Sequence, residues 1–170
     1  MAPDPLAWFK LNREAGEGRH DLLMVAGGLD KSPAIARVFP LAADRKRLND
    51  VKVQVAQGPG YAYVDDDDGT LIWSSDYLST GEKLSIYLDF IHELCHVRQF
   101  REGKDLYDKR YSYVDRPTEI EAYQVAVEEA RRLGKGDDWI FDYLHVEWVS
   151  KSEHERLAKA CGLERPRKAR

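Results

Sequence analysis

Residues 81–102 constrain the fold most, because they form a helix that is apolar around nearly its whole circumference. At ~100° per residue, Ile86, Phe90, Val97, Leu94, Tyr87, Ile91, Cys95, Leu84 and Leu88 occupy most of the helical wheel. Ser85, Asp89, His92, Glu93, His96 and Gln99 fall together in one narrow stripe. A surface helix shows the inverse pattern, a polar cylinder with one apolar stripe. This segment therefore has to be buried on most sides, and its polar strip has to line a cleft. The competing reading, a solvated histidine face on an ordinary amphipathic helix, does not fit so apolar a surround.

The rest of the chain supplies partners for that helix. Val51, Val53 and Val55 alternate with Lys52 and Gln54, the period of a half-buried strand. After the Gly58-Pro59-Gly60 turn signal, Tyr61 to Val64 and Thr70 to Trp73 read as two strands of a hairpin. Asp65 to Gly69 would form its glycine-bearing loop; the spacing of a calcium loop fails at Val64. Helical patterns follow over 117–133, 137–148 and 151–161, with shorter ones at Ala34 to Val38 and Leu6 to Leu11. Trp139, Phe141, Tyr143, Leu144 and Trp148 make 137–148 read as a helix packed in the core. Strands followed by helices, without βαβ alternation, predict an α+β fold. The length of 170 residues suits one domain, and no repeat or boundary divides it. The expectation is a single domain over 1–170 with a core at about 51–133. Residues 1–50 and 134–170 would be helical additions.

Composition excludes several function classes. Lys and Arg total 26 against 30 Asp and Glu, a net charge of -4, so the basic footprint of a nucleic-acid binder is missing. Arg45-Lys46-Arg47 and Arg165 to Arg170 read as solvated surface, as do His20 and His154. No stretch reaches the ~18 uncharged apolar residues of a membrane span, and residues 1–5 lack the marks of a secretory leader. Cys95 and Cys161 are too few for a disulfide framework, which points to a reducing, cytoplasmic setting. Oligomeric state is not legible.

The chemistry resides in His92-Glu93-Leu94-Cys95-His96. Histidines four apart on a helix share one face, so both imidazoles reach one Zn²⁺ at ~2.0–2.1 Å. Glu93 lies about 100° round the helix from His92. It flanks the metal without ligating it and is placed as a base for water. A catalytic zinc normally has a third protein ligand, and the helix from Pro117 offers Glu119 and Glu121. Ala122, Tyr123, Ala126, Val127, Ala130 and Leu133 all lie within about 80° of Glu119 on the wheel. Glu119 thus projects from the apolar face, where a carboxylate needs a cationic partner. Glu121 falls opposite among polar residues and reads as solvated surface. Cys95 reads as a small buried thiol. The expected metal ligands are His92, His96 and Glu119, with Glu93 as catalytic base.

With these residues the chain resembles the gluzincin class of zinc metallopeptidases. The matching pieces are His92-Glu93-Leu94-Cys95-His96 and Glu119-Ile120-Glu121-Ala122, whose first residue is the class's ligand glutamate and whose fourth is small. The resemblance covers residues 51–133. It implies a small antiparallel sheet packed on a zinc-binding helix and a following glutamate-bearing helix. It further implies Zn²⁺ as cofactor, a peptide or protein substrate, and the strand at Thr70 to Trp73 as the edge pairing with substrate. Many members carry an acid four residues after the ligand glutamate, orienting the first histidine. Here that position is Tyr123, so Tyr123 or Asp89 is left to support the imidazoles. Tyr111, Tyr113 and His145 are the candidate oxyanion donors. Two alternatives to hydrolysis stand: a zinc-bearing binding or regulatory module, and a metal-free helical interaction domain.

Overall fold

The computed structural model describes residues 2–164, and they form a mixed α+β fold. A first ribbon pairs β1 (Lys10–Leu11) with β3 (Ala26–Gly27), and between them run β2 (Gly18–Asp21) and α1 (Leu22–Val25). Two short helices follow, α2 (Pro33–Val38) and α3 (Ala42–Lys46), then β4 (Lys52–Ala56), β5 (Ala62–Val64) and β6 (Leu71–Ser74). The remainder is helical: α4 (Ser75–Thr80), α5 (Lys83–Arg101), α6 (Pro117–Arg132), α7 (Asp137–Tyr143) and α8 (Lys151–Ala160).

The main sheet has the order β2-β4-β6-β5. Its β2–β4 and β5–β6 pairs are antiparallel, whereas β4 and β6 run parallel, so the sheet is mixed and not purely antiparallel. The expected hairpin is present, with Tyr63 opposite Ile72 and Val64 opposite Leu71. Its turn closes through Asp65 N–H to Thr70 O at 2.9 Å. Gly69 has φ +79°, and a Cβ there would meet the Phe100 ring at 2.8 Å, so only glycine fits. The Leu71–Ser74 strand is not the edge that the resemblance implied. Leu71 and Trp73 are fully buried and need a neighbour on both sides; Tyr63, exposed, suits the edge, and β5 occupies it.

Trp73 of β6 stacks on Phe90 of α5 at 3.8 Å, which seats the helix against the sheet. α6 packs along α5 from the other side. α5 is buried nearly all round, as its wheel requires: Ile86, Leu88, Phe90, Ile91 and Leu94 are fully enclosed. The N-terminal residues are less helical than expected. Leu6 to Leu11 form a turn leading into β1, and Leu6 and Phe9 enter the core. β2 joins the main sheet, so residues 1–50 are part of its construction. Arg13 Nη1 donates to the carbonyls of Leu78 and Gly81 at 3.3 and 2.8 Å, and Lys83 Nζ donates to Leu6 O at 2.8 Å.

At the other end, α7 stops at Tyr143, and Trp148 is 56% exposed instead of buried in a longer helix. The backbone turns away where His145 N–H bonds to Asp142 O, carrying Trp148 to a surface contact with Tyr61 and Tyr113. His154, expected at the surface, is buried: its ring stacks on Phe141 at 4.0 Å and meets Phe141 O at 2.7 Å. Arg165 to Arg170 lie outside the described residues. No helix among the described residues is long and apolar enough to cross a membrane.

One ion cluster ties α2, α5 and α6 together. Glu129, fully buried, accepts from Tyr87 Oη at 2.7 Å and from Arg132 Nη2 at 2.7 Å, with Arg37 Nη2 at 3.5 Å. Tyr87 also bonds Ser32 Oγ at 2.6 Å. Glu129→Ala removes the acid that Arg132 pairs with and the acceptor of the Tyr87 hydroxyl, while Tyr87 keeps Ser32 and Arg37 keeps Glu128 at 2.7 Å. Because both arginines reach solvent, the expected loss is about 2–3 kcal/mol, below the about 3–5 of a fully buried pair. Urea unfolding checks it.

Candidate metal centre

α5 carries His92 and His96 on one face, and α6 opens opposite them. Pro117 at the first helical position fixes where α6 begins. Two residues later Glu119 leaves its first turn, pointing back at α5. His92 Nε2 and His96 Nε2 are 3.0 Å apart; Glu119 Oε2 lies 3.1 Å from the first and 3.3 Å from the second. All three residues are 5% exposed. The expected ligands therefore converge, from positions far apart in sequence.

These atoms fit a metal. Tetrahedral bonds of ~2.0–2.1 Å place neighbouring ligand atoms about 3.3 Å apart. Glu119 Oε2 is buried and receives no hydrogen bond in good geometry, so its lone pairs are left without a donor. Two imidazoles and one carboxylate are the donor set of a catalytic zinc. Burial would raise the pKa of Glu119, but the neighbouring His96 and His92 outweigh it and hold the carboxyl far below its usual range. Burial lowers the His96 pKa, and Glu119 beside it more than compensates, pushing it up to about 9.

Gln99, fully buried, orients His96, a role not assigned from sequence although it shares the polar stripe. Its Nε2 donates to Glu121 Oε1 at 2.7 Å and to Thr118 O at 3.0 Å, which turns its Oε1 toward His96 Nδ1, 2.7 Å away. That oxygen only accepts, so Nδ1 carries a proton, and Nε2 is left as the nitrogen that would give its lone pair to a metal. The spacing three residues beyond His96 was the available signal. Gln99→Ala should weaken zinc binding about 10–100-fold, the usual cost of an outer-shell partner. Competition against a chromophoric chelator measures it.

His92 lacks such a partner: its Nδ1 is buried without a hydrogen bond. Neither expected support reaches it. The Tyr123 ring packs on the imidazole at 4.2 Å, but its hydroxyl bonds to Tyr113 Oη at 2.8 Å. Asp89 is engaged by the hydroxyls of Tyr77 and Tyr143. Glu121 is not free surface either. It pairs with Arg98 at 2.6 Å and holds Gln99, so its position opposite Glu119 serves the α5–α6 joint. Cys95 Sγ meets Arg98 Nη2 at 3.2 Å, and burial pushes the thiol up to about 11.

Glu93 is 7% exposed, its Oε2 makes no hydrogen bond, and burial raises its pKa against the opposing pull of His92 and His96. It opens, with the triad, onto a cleft of about 700 Å³ whose floor is the polar strip of α5. Tyr113 and His145 also line this cleft; Tyr111 does not and is 41% exposed. Burial holds the Tyr113 hydroxyl well above its usual pKa, so it remains a donor. Among the described residues, Asp65, Asp66 and Asp67 are the other convergence of potential ligands, on the solvent-facing hairpin turn. No protein-family model, curated protein or solved structure matches this chain.

Proposed function

We propose that this chain is a zinc-dependent metallopeptidase with a minimal gluzincin-like core built from α5, α6 and the β5–β6 hairpin. One observation carries the reading: three ligand atoms 3.0–3.3 Å apart beside a buried, unbonded carboxylate. A bound zinc ion supplies Lewis acidity, polarising a carbonyl and acidifying water. His92, His96 and Glu119 hold that ion. Glu93 takes the proton of the attacking water and delivers it to the leaving amine; its raised pKa suits both halves of that transfer. Tyr113 and His145 offer donors for charge developing on the carbonyl oxygen. β5 is the sheet edge at the cleft, and Ala62 and Tyr63 line it, so an extended peptide would add there as a further strand.

The unpartnered Nδ1 of His92 favours a second reading, a zinc-bearing binding module without useful hydrolysis. Reconstitution with one zinc per chain, followed by digestion of a peptide library, separates the two. Cleavage that stops on chelation and returns with zinc is the expected result. Stable zinc occupancy with an intact library leaves the second reading. A chain that takes up no zinc leaves the metal-free interaction domain.

A further inference from the structure

The charge of the cleft points to its substrate class. Five carboxylate residues line it, Glu82, Asp89, Glu93, Glu119 and Asp142, and no lysine or arginine does. Outside the cleft several acids meet cations, among them Glu121 with Arg98, Glu128 with Arg37 and Asp115 with Arg156. Within the described residues, Glu82, Asp89, Glu93 and Asp142 have no such partner. Glu93 is the sharpest case, nine-tenths enclosed with an unbonded oxygen.

The carboxylates are also spaced along the floor. Asp89 lies four residues before Glu93 on α5, about 6 Å along the helix axis, and Glu82 about 10 Å beyond it. Tyr77 and Tyr143 hold Asp89 by one hydroxyl on each oxygen, which fixes its position. Tyr61, Tyr143 and Trp148 line the same cleft as faces for a cation. An extended peptide advances ~3.3 Å per residue, so the separation of Asp89 from Glu93 equals the length of about two peptide residues.

We infer that the cleft selects peptides carrying a lysine or arginine side chain within three residues of the cleaved bond, on one side only. The inference rests on the peptidase reading for the word cleaved and on the cleft alone for the cation. The test uses zinc-loaded protein and matched decapeptides with lysine, arginine, norleucine or glutamate at each position. Lysine or arginine at one position should raise kcat/KM about tenfold over norleucine. The ratio should fall toward one in the double variant Glu82→Gln, Asp142→Asn, whose positions are exposed, and in about 0.5 M salt. Equal cleavage of the norleucine and lysine peptides overturns the inference and leaves the peptidase reading standing. Binding to the unaltered protein freed of zinc by chelation, followed by tryptophan fluorescence, is the second arm. About tenfold tighter binding of the lysine peptide, with no cleavage by the zinc-loaded protein, supports the cation-selective cleft and removes the peptidase reading. Absence of preference in both arms overturns the inference.

Discussion

Glu119→Ala lowers zinc affinity by at least about 100-fold, while Glu121→Ala changes it by no more than about tenfold. The two residues sit two apart on α6, so the comparison separates ligation from general damage to the helix. Glu119 contributes an oxygen to the triad. Glu121 pairs with Arg98 and touches His96 only through Gln99, one step beyond the outer-shell partner, which predicts a smaller effect than the about 10–100-fold loss expected for Gln99 itself. Titration with zinc against a competing chelator reads both. Stability adds a signature in metal-free protein. The His96 pKa is raised from 6.5 to about 9 in the fold, so its contribution is complete below pH 6.5 and is lost as pH rises through 9. Glu119 is the chief cause of that rise, and Glu119→Ala should flatten this part of the profile. A chelated variant that retains the full slope would assign the shift elsewhere.

Glu93→Gln lowers kcat by about 10²–10⁴-fold, the range for loss of a positioned base, and keeps zinc at one per chain. The amide matches the carboxylate in shape, and Glu93 makes no contact with the ligand atoms close enough to be one of them. The same substitution should raise the thermal midpoint of metal-free protein, because a buried carboxylate oxygen without a donor is costly. Activity lost with stability gained marks a residue kept for chemistry. Equal turnover in both proteins removes Glu93 from the role.

Residues with strong local constraints were legible in the sequence. The inverted wheel of residues 81–102 placed α5 in the interior, and the wheel of α6 chose Glu119 over Glu121, because both depend only on helical period and the cost of burying charge. The hairpin was legible for a similar reason, its glycine being required by the turn. What escaped depends on non-local partners. The insertion of β6 between β4 and β5 is a matter of chain crossing that alternation does not encode. His154 looks solvated until Phe141 is brought over it. Gln99 shows its purpose only when Thr118 and Glu121 arrive from α6 to fix its amide. The length of α7 was overread because aromatic residues serve a cleft rim as readily as a core.

Lys83 and Trp73 tie α5 to Leu6 and to the sheet, and Arg13 holds the Gly81 carbonyl just before the helix, so the floor of the cleft is pinned from several sides. Across the mouth, by contrast, Tyr61 touches Trp148 ring to ring and donates to Glu147 at 3.3 Å, with all three side chains at the surface. Entry of a long guest therefore distorts the doorway and spares the hearth: the triad keeps its spacing while a pair of aromatic jambs swings aside.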